Sequence, residues 1–117
     1  MPTFLSYKED KMSSFEPPYF EIVTPLGIKV RTTLSHWTKI ITIKHPIMAG
    51  QENIVKQTLQ FPTEIRRSKT DLDVYLYYKY QLPYFVCVVA KHLNRDGFII
   101  TAYRTNNIKR GDLIWTT

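Results

Sequence analysis

The residues of this chain that could do chemistry are few and widely spaced. Three histidines, His36, His45 and His92, can change charge near neutral pH. His45 stands in Lys44-His45-Pro46, where the proline ends the preceding helical pattern. A histidine at a helix C-terminus meets the negative end of the dipole, which raises its pKa and favours the charged ring. Such a group suits general acid work or phosphate binding; a simple C-cap is the plainer alternative. His36, beside Trp37, reads as a surface residue, and His92, beside Lys91, as surface or rim.

The C-terminal half adds Arg66, Ser68, Lys69, Tyr77, Lys91, Thr101, Tyr103 and Arg104. Cleaving RNA without a metal needs a group that deprotonates the 2′-hydroxyl, a cation on the scissile phosphate and a donor for the leaving 5′-oxygen. His, Lys, Arg, Tyr and Thr supply all of these. Aromatic rings alongside offer stacking platforms for unpaired bases. The chain has eight tyrosines, with Tyr75, Tyr77, Tyr78, Tyr80 and Tyr84 close together. β-propensity and half-burial explain most of these equally well.

Other chemistries find no support. The histidines and the single cysteine show no paired spacing, so no zinc site is expected. Gly27, Gly50, Gly97 and Gly111 are isolated, so there is no phosphate-cradling loop, and no cofactor is expected. No nucleophile elbow is present. Cys87 lies in an apolar run and reads as a small core residue; a lone thiol fits a reducing cytosol.

The polar residues must be positioned by strands. Glu64–Ser68, Val74–Tyr80, Tyr84–Leu93 and Phe98–Thr105 read as four strands, with the turn Asn94-Arg95-Asp96-Gly97 taking its positive φ at Gly97. Alternation puts Val86, Val88, Ala90, Ile100 and Ala102 on one face and Lys91, Thr101, Tyr103 and Thr105 on the other. Upstream, Tyr19–Thr24 and Ile28–Thr32 flank Pro25-Leu26-Gly27 and predict a hairpin. A helix is predicted over Leu34–Lys44, burying Trp37, Ile40 and Ile41, and a second over Gln51–Gln60. Leu113–Trp115 reads as a final short strand. The expected class is α+β: an N-terminal β-hairpin and two helices packed on one face of a four-stranded antiparallel sheet.

With 117 residues, 44% hydrophobic and 22% charged, the chain fits a single globular domain over residues 19–117 behind a poorly ordered leader, 1–18. No apolar run approaches the ~20 residues that cross a bilayer, and the N-terminus has no secretory h-region. A cytoplasmic protein without membrane contact is expected. The net charge is +6, of which residues 1–60 carry +2 and residues 61–117 carry +4. A basic surface attracts polyanions, which makes RNA the expected partner.

Several segments occur in a telling order: "TPLG", "SHWTKIITIKHP", "PTEIRRS", "YLYYKY", "YFVCVVAKHL", "GFIITAYRT" and "KRGDLIW". Together, over about Thr24 to Trp115, they resemble small bacterial proteins of the phage and cyanobacterial barnase–EndoU–colicin–RelE-like nuclease group. The "HP" after a Trp-bearing helix and the "ITAY" strand carry most of the resemblance. It implies a helix pair, a four-stranded antiparallel sheet of barnase/RelE-like type, and metal-independent RNase chemistry across that sheet. The matching positions are His45, Arg66, Ser68, Tyr78, Lys91, Thr101 and Tyr103. By this resemblance His45 is the acid/base, Arg66 and Lys91 hold phosphate, and Thr101 and Tyr103 position or donate a proton. Lys39, Ser68, Arg104 and either Tyr77 or Tyr78 are expected to bind substrate; parity leaves the choice of tyrosine open.

Two departures stand out: Lys39 replaces a histidine common in similar sequences, and Ile47 replaces an acid after "HP". The expected function is therefore an endoribonuclease giving 2′,3′-cyclic phosphate ends, toxin-like or phage-derived, with an antitoxin or other protein partner. The alternative is a catalytically weak RNA- or protein-binding module on the same fold.

Overall fold

The structure, a computed structural model, describes residues 16–108 and 111–117. The expected leader therefore falls almost wholly outside the described residues.

β1 (Phe20–Val23) and β2 (Lys29–Thr32) form the hairpin around Pro25-Leu26-Gly27. Gly27 takes φ 77°, and its amide donates to Thr24 O at 2.9 Å, which closes the turn. Thr33 then caps α1 (Leu34–Lys39), accepting from His36 N at 3.1 Å. The Glu16 carboxylate accepts from the Ser35 amide at 3.3 Å and from its hydroxyl.

The helix does not continue as an α-helix to Lys44. Ile40–Lys44 is a π-helical turn, closed by His45 N donating to Ile40 O at 2.7 Å. The run Ile40-Ile41-Thr42-Ile43 is β-branched and crowds an α-helix at χ1. A 3-10 turn (Pro46–Met48) and α2 (Glu52–Gln60) follow. In α2, Val55, Thr58 and Leu59 are buried.

The remaining strands are β3 (Glu64–Arg67), β4 (Val74–Gln81), β5 (Tyr84–Leu93), β6 (Asp96–Thr105) and β7 (Asp112–Thr116). They do not form a separate four-stranded sheet. All seven strands make one mixed sheet, ordered β1-β2-β6-β5-β4-β3-β7. β2 runs parallel to β6, pairing Lys29–Arg31 with Asp96–Phe98, and β7 adds antiparallel to β3. An isolated hairpin is marginal in water, and joining the sheet edge gives β2 ladder partners. The expected layout of a four-stranded sheet with two helices on one face is thus replaced by a strand-dominated mixed sheet with two short helices.

The faces also depart from simple alternation. A bulge leaves Ile100 extra, since Val89 pairs with Thr101 and Ala90 with Ile99. Ile99 and Ala102, not Ile100, therefore join Val86, Val88 and Ala90 on the face that packs against Trp37, Ile40, Met48, Val55 and Leu59. The opposite face was expected to be polar, but its centre is Leu76, Tyr78 and Cys87, all buried, with Phe85, Val89, Tyr103 and Ile108 packed around them. Gly97 is buried inside β6 opposite His92, and the positive φ of the β5–β6 turn belongs to Asn94, at 57°.

Candidate functional site

Among the described residues, no strand pairs with the β2 side of β6 beyond Phe98, and α1 with the π and 3-10 turns packs along this edge. His36 Nε2 lies 3.1 Å from Ile100 O, which ties α1 to β6. His36 is therefore a buried anchor, not the surface residue its sequence context indicates. Trp37, Ile40 and Met48 enter the core on the helix face, while His45 reaches the opposite face and meets Tyr103, with ring centroids 5.4 Å apart at 36°. The π turn produces this placement: its wider ring shifts the chain so that His45 leaves with φ −140° and ψ 76°.

The electrostatics of His45 reverse the sequence expectation. Partial burial, helped by the charge of Lys44, lowers its pKa below 6.5. The segment ends in a π turn, and the desolvation of the ring outweighs any gain from a helix dipole. His45 is thus neutral at pH 7 and able to accept a proton.

Thr101 lies one row further along the same face as Tyr103, and its Oγ1 is buried without a hydrogen-bond partner. Lys39 is the exposed last residue of α1. Of the sequence-predicted residues, Tyr103 and Thr101 thus share this face of β6, and Lys39 ends the helix just before the π turn.

The others are held elsewhere. Lys91 is 5% exposed and pairs with Asp71 at 3.0 Å and Asp73 at 3.9 Å, which makes it a structural ion pair instead of an open phosphate contact. Arg66 is paired with Glu64 and donates to Gly111 O at 3.2 Å. It stands three strands from Thr101, roughly 14 Å of backbone spacing. Ser68 Oγ accepts from the amides of Thr70 and Asp71, both at 3.2 Å, and so closes a loop. Arg104 sits over the Tyr84 ring at 4.3 Å.

The register settles the tyrosine question. Tyr78 shares a face with Cys87 and Tyr103 and is 1% exposed; Tyr77 points to the helix face.

A second titratable cluster joins Tyr77, a residue expected at the site, to His92, which the sequence places at the surface or rim. Tyr77 Oη donates to Thr24 Oγ1 at 3.1 Å and lies 2.9 Å from His92 Nε2. His92 stacks on Tyr75 with centroids 3.8 Å apart at 11°, and Arg67 lies over Tyr75 at 5.7 Å. His92 is buried, not at the rim. Burial lowers its pKa from 6.5 to about 4, against a smaller opposing effect of Asp73. Burial likewise raises the Tyr77 hydroxyl far above the usual phenol range. The signal was in the alternation: His92 has the parity of Val88 and Ala90.

Among the described residues, no group of three His, Cys, Asp or Glu side chains is placed to hold a metal ion. Among them, too, no helix is long and apolar enough to cross a membrane. Compared with protein-family models, curated proteins and solved structures, the chain matches none.

Proposed function

We propose that this domain is a cytoplasmic, metal-independent endoribonuclease of toxin-like or phage-derived type, acting at the His45 edge of β6. The observation that carries the reading is a neutral imidazole beside a phenol, His45 against Tyr103, at the end of a π turn. In the proposed reaction His45 takes the proton of a 2′-hydroxyl, whose oxygen attacks the adjacent phosphorus. The bond from phosphorus to the 5′-oxygen breaks, giving a 2′,3′-cyclic phosphate. Tyr103 gives its proton to the leaving oxygen, and the His45 imidazolium returns one to the phenolate. Lys44, whose charge already acts on His45, is the cation nearest in kind to what the phosphate needs. The net charge of +6 and the ordered motif resemblance support RNA as the substrate.

The test is cleavage of a mixed-sequence RNA in EDTA by the wild type and by His45→Ala. Loss of an acid/base group lowers the rate by roughly 10²–10⁴ without unfolding the protein. Equal rates, or no cleavage by folded wild type, would remove the assignment.

The pairing of buried Lys91 with half-buried Asp71 favours a second reading, because it withdraws one expected phosphate contact. In that reading the domain holds RNA, or a protein partner, without cutting. Salt-sensitive RNA binding with no cleavage would select it for RNA.

A further inference from the structure

We infer that Lys79 and Arg104, in one cross-strand row on the helix face, hold the phosphate backbone of single-stranded RNA that extends from the His45 edge. The inference rests on the reading above for the identity of the ligand. Lys79 pairs with Val86, and Val86 pairs with Arg104. Residues directly opposite one another share a face, and Val86 belongs to the core under the helices. The two cations therefore flank a buried valine on that face, with backbones about 10 Å apart across two strand spacings. Lys79 Nζ donates to Phe61 O, just past the end of α2, at 2.9 Å, which uses one of its three donors. The Arg104 guanidinium lies 4.3 Å from the Tyr84 ring, and a guanidinium stacked by its face keeps its N–H donors at its edge.

Charge commits this row to an anion. Lys29, Arg31, Arg66, Lys69 and Lys91 each have a carboxylate within ion-pair distance. Among the described residues, neither Lys79 nor Arg104 has one. The segments that meet at this end, 44–51, 53–63, 77–87 and 97–108, contain no acid. Glu64 begins β3 opposite Tyr78 and so points to the other face, where it pairs with Arg66. Arg104 follows Tyr103, whose ring meets His45 on that other face. An anionic chain held at both places must pass round the C-terminal end of β6. An unpaired RNA strand is flexible enough for that turn, and a duplex is too stiff to make it.

The experiment measures binding of a short mixed-sequence 2′-O-methyl RNA by fluorescence anisotropy over a range of salt; the methyl group blocks the attacking oxygen, so affinity is read without cleavage. Two double variants with the same net charge are compared. Lys79→Gln with Arg104→Gln removes the row, and Lys29→Gln with Lys69→Gln removes two cations that are paired with Glu21 and Asp112. Removing the row should weaken binding and flatten the slope of log affinity against log salt by about 1.4, or about 0.7 per lost phosphate contact. The paired-cation variant should keep the wild-type slope, as should Arg104→Lys. If the row variant does not fold, Lys79→Gln and Arg104→Gln singly carry the same comparison. Equal slopes in the two double variants, or no binding by wild type, would overturn the inference. If the row variant loses affinity but wild type leaves unmodified RNA intact, the row stands and the nuclease reading falls. If wild type and row variant cut unmodified RNA equally and bind it equally, the nuclease reading stands and the row falls. Polyglutamate bound as tightly as RNA, with the same dependence on the row, would assign it to acidic protein and overturn the inference.

Discussion

The hydroxyl of Tyr77 lies 2.9 Å from Nε2 of His92, two strands' side chains joined in the interior of the helix face. With Tyr77 also donating to Thr24, the contact ties β4 and β5 to the turn of the β1–β2 hairpin. Burial beside Tyr75 favours the neutral form of His92, against a smaller opposing effect of Asp73.

Stability should therefore fall as the solution is acidified. Between pH 6.5 and about 4 the unfolded chain binds a proton at His92 that the folded chain does not, so protonation favours unfolding. The contribution is complete above pH 6.5 and is lost as pH falls toward 4, at a cost on the order of 3 kcal/mol. Denaturant midpoints at pH 7 and pH 5 measure it. His92→Gln should flatten this part of the profile; an unchanged slope in that variant would show that the acid sensitivity arises elsewhere.

Tyr77→Phe keeps the ring and removes the hydroxyl. Thr24 Oγ1 and His92 Nε2 then lose a partner in a buried setting. The expected loss is roughly 1–3 kcal/mol, read by chemical denaturation. A neutral effect would mean that water or a side-chain shift replaces the hydroxyl at no cost.

The strands are legible in the sequence because alternation is local: the expected span Tyr84–Leu93 matches the observed strand, and the other three differ by one or two residues. What alternation could not reveal was pairing. The parallel β2–β6 contact joins residues 67 apart and depends on the tertiary fold. The bulge at Ile100 inverts the facing of residues on either side of it without any Gly or Pro to mark it. The π turn redirects His45, although the sequence shows only a run of β-branched residues before a proline. Lys91 read as a free cation because Asp71 and Asp73 lie in a loop whose approach only the fold brings about.

Gly97 tests the sheet junction. A Cβ there would lie 2.5 Å from the Lys91 carbonyl oxygen, so the β5–β6 backbones must separate. Gly97→Ala should cost roughly 1–3 kcal/mol through overpacking, seen as a lower Tm. Gly27→Ala, at φ 77° with nothing within 4 Å, should cost only the left-handed strain of about 1 kcal/mol. A larger loss at Gly27 than at Gly97 would contradict the packing of β6 described above.

The pH–rate profile bears most directly on His45. If His45 is the base in RNA cleavage, only its neutral form accepts the 2′-hydroxyl proton, so the rate rises with pH through the pKa of His45. Partial burial and the nearby charge of Lys44 hold that pKa below 6.5, so the neutral fraction persists into mildly acidic solution. The rising limb should therefore lie below pH 6.5, with the rate already level at neutrality. Lys44→Gln removes the cation that disfavours protonation, so it should move the limb up toward 6.5 while lowering the maximal rate through loss of phosphate stabilisation. A rising limb above pH 6.5 in the wild type would mean that the pKa of His45 is raised instead of lowered, and a rate that falls with pH through this range would mean that a charged His45 acts as acid. A limb that Lys44→Gln leaves in place would mean that burial alone sets the pKa of the ring.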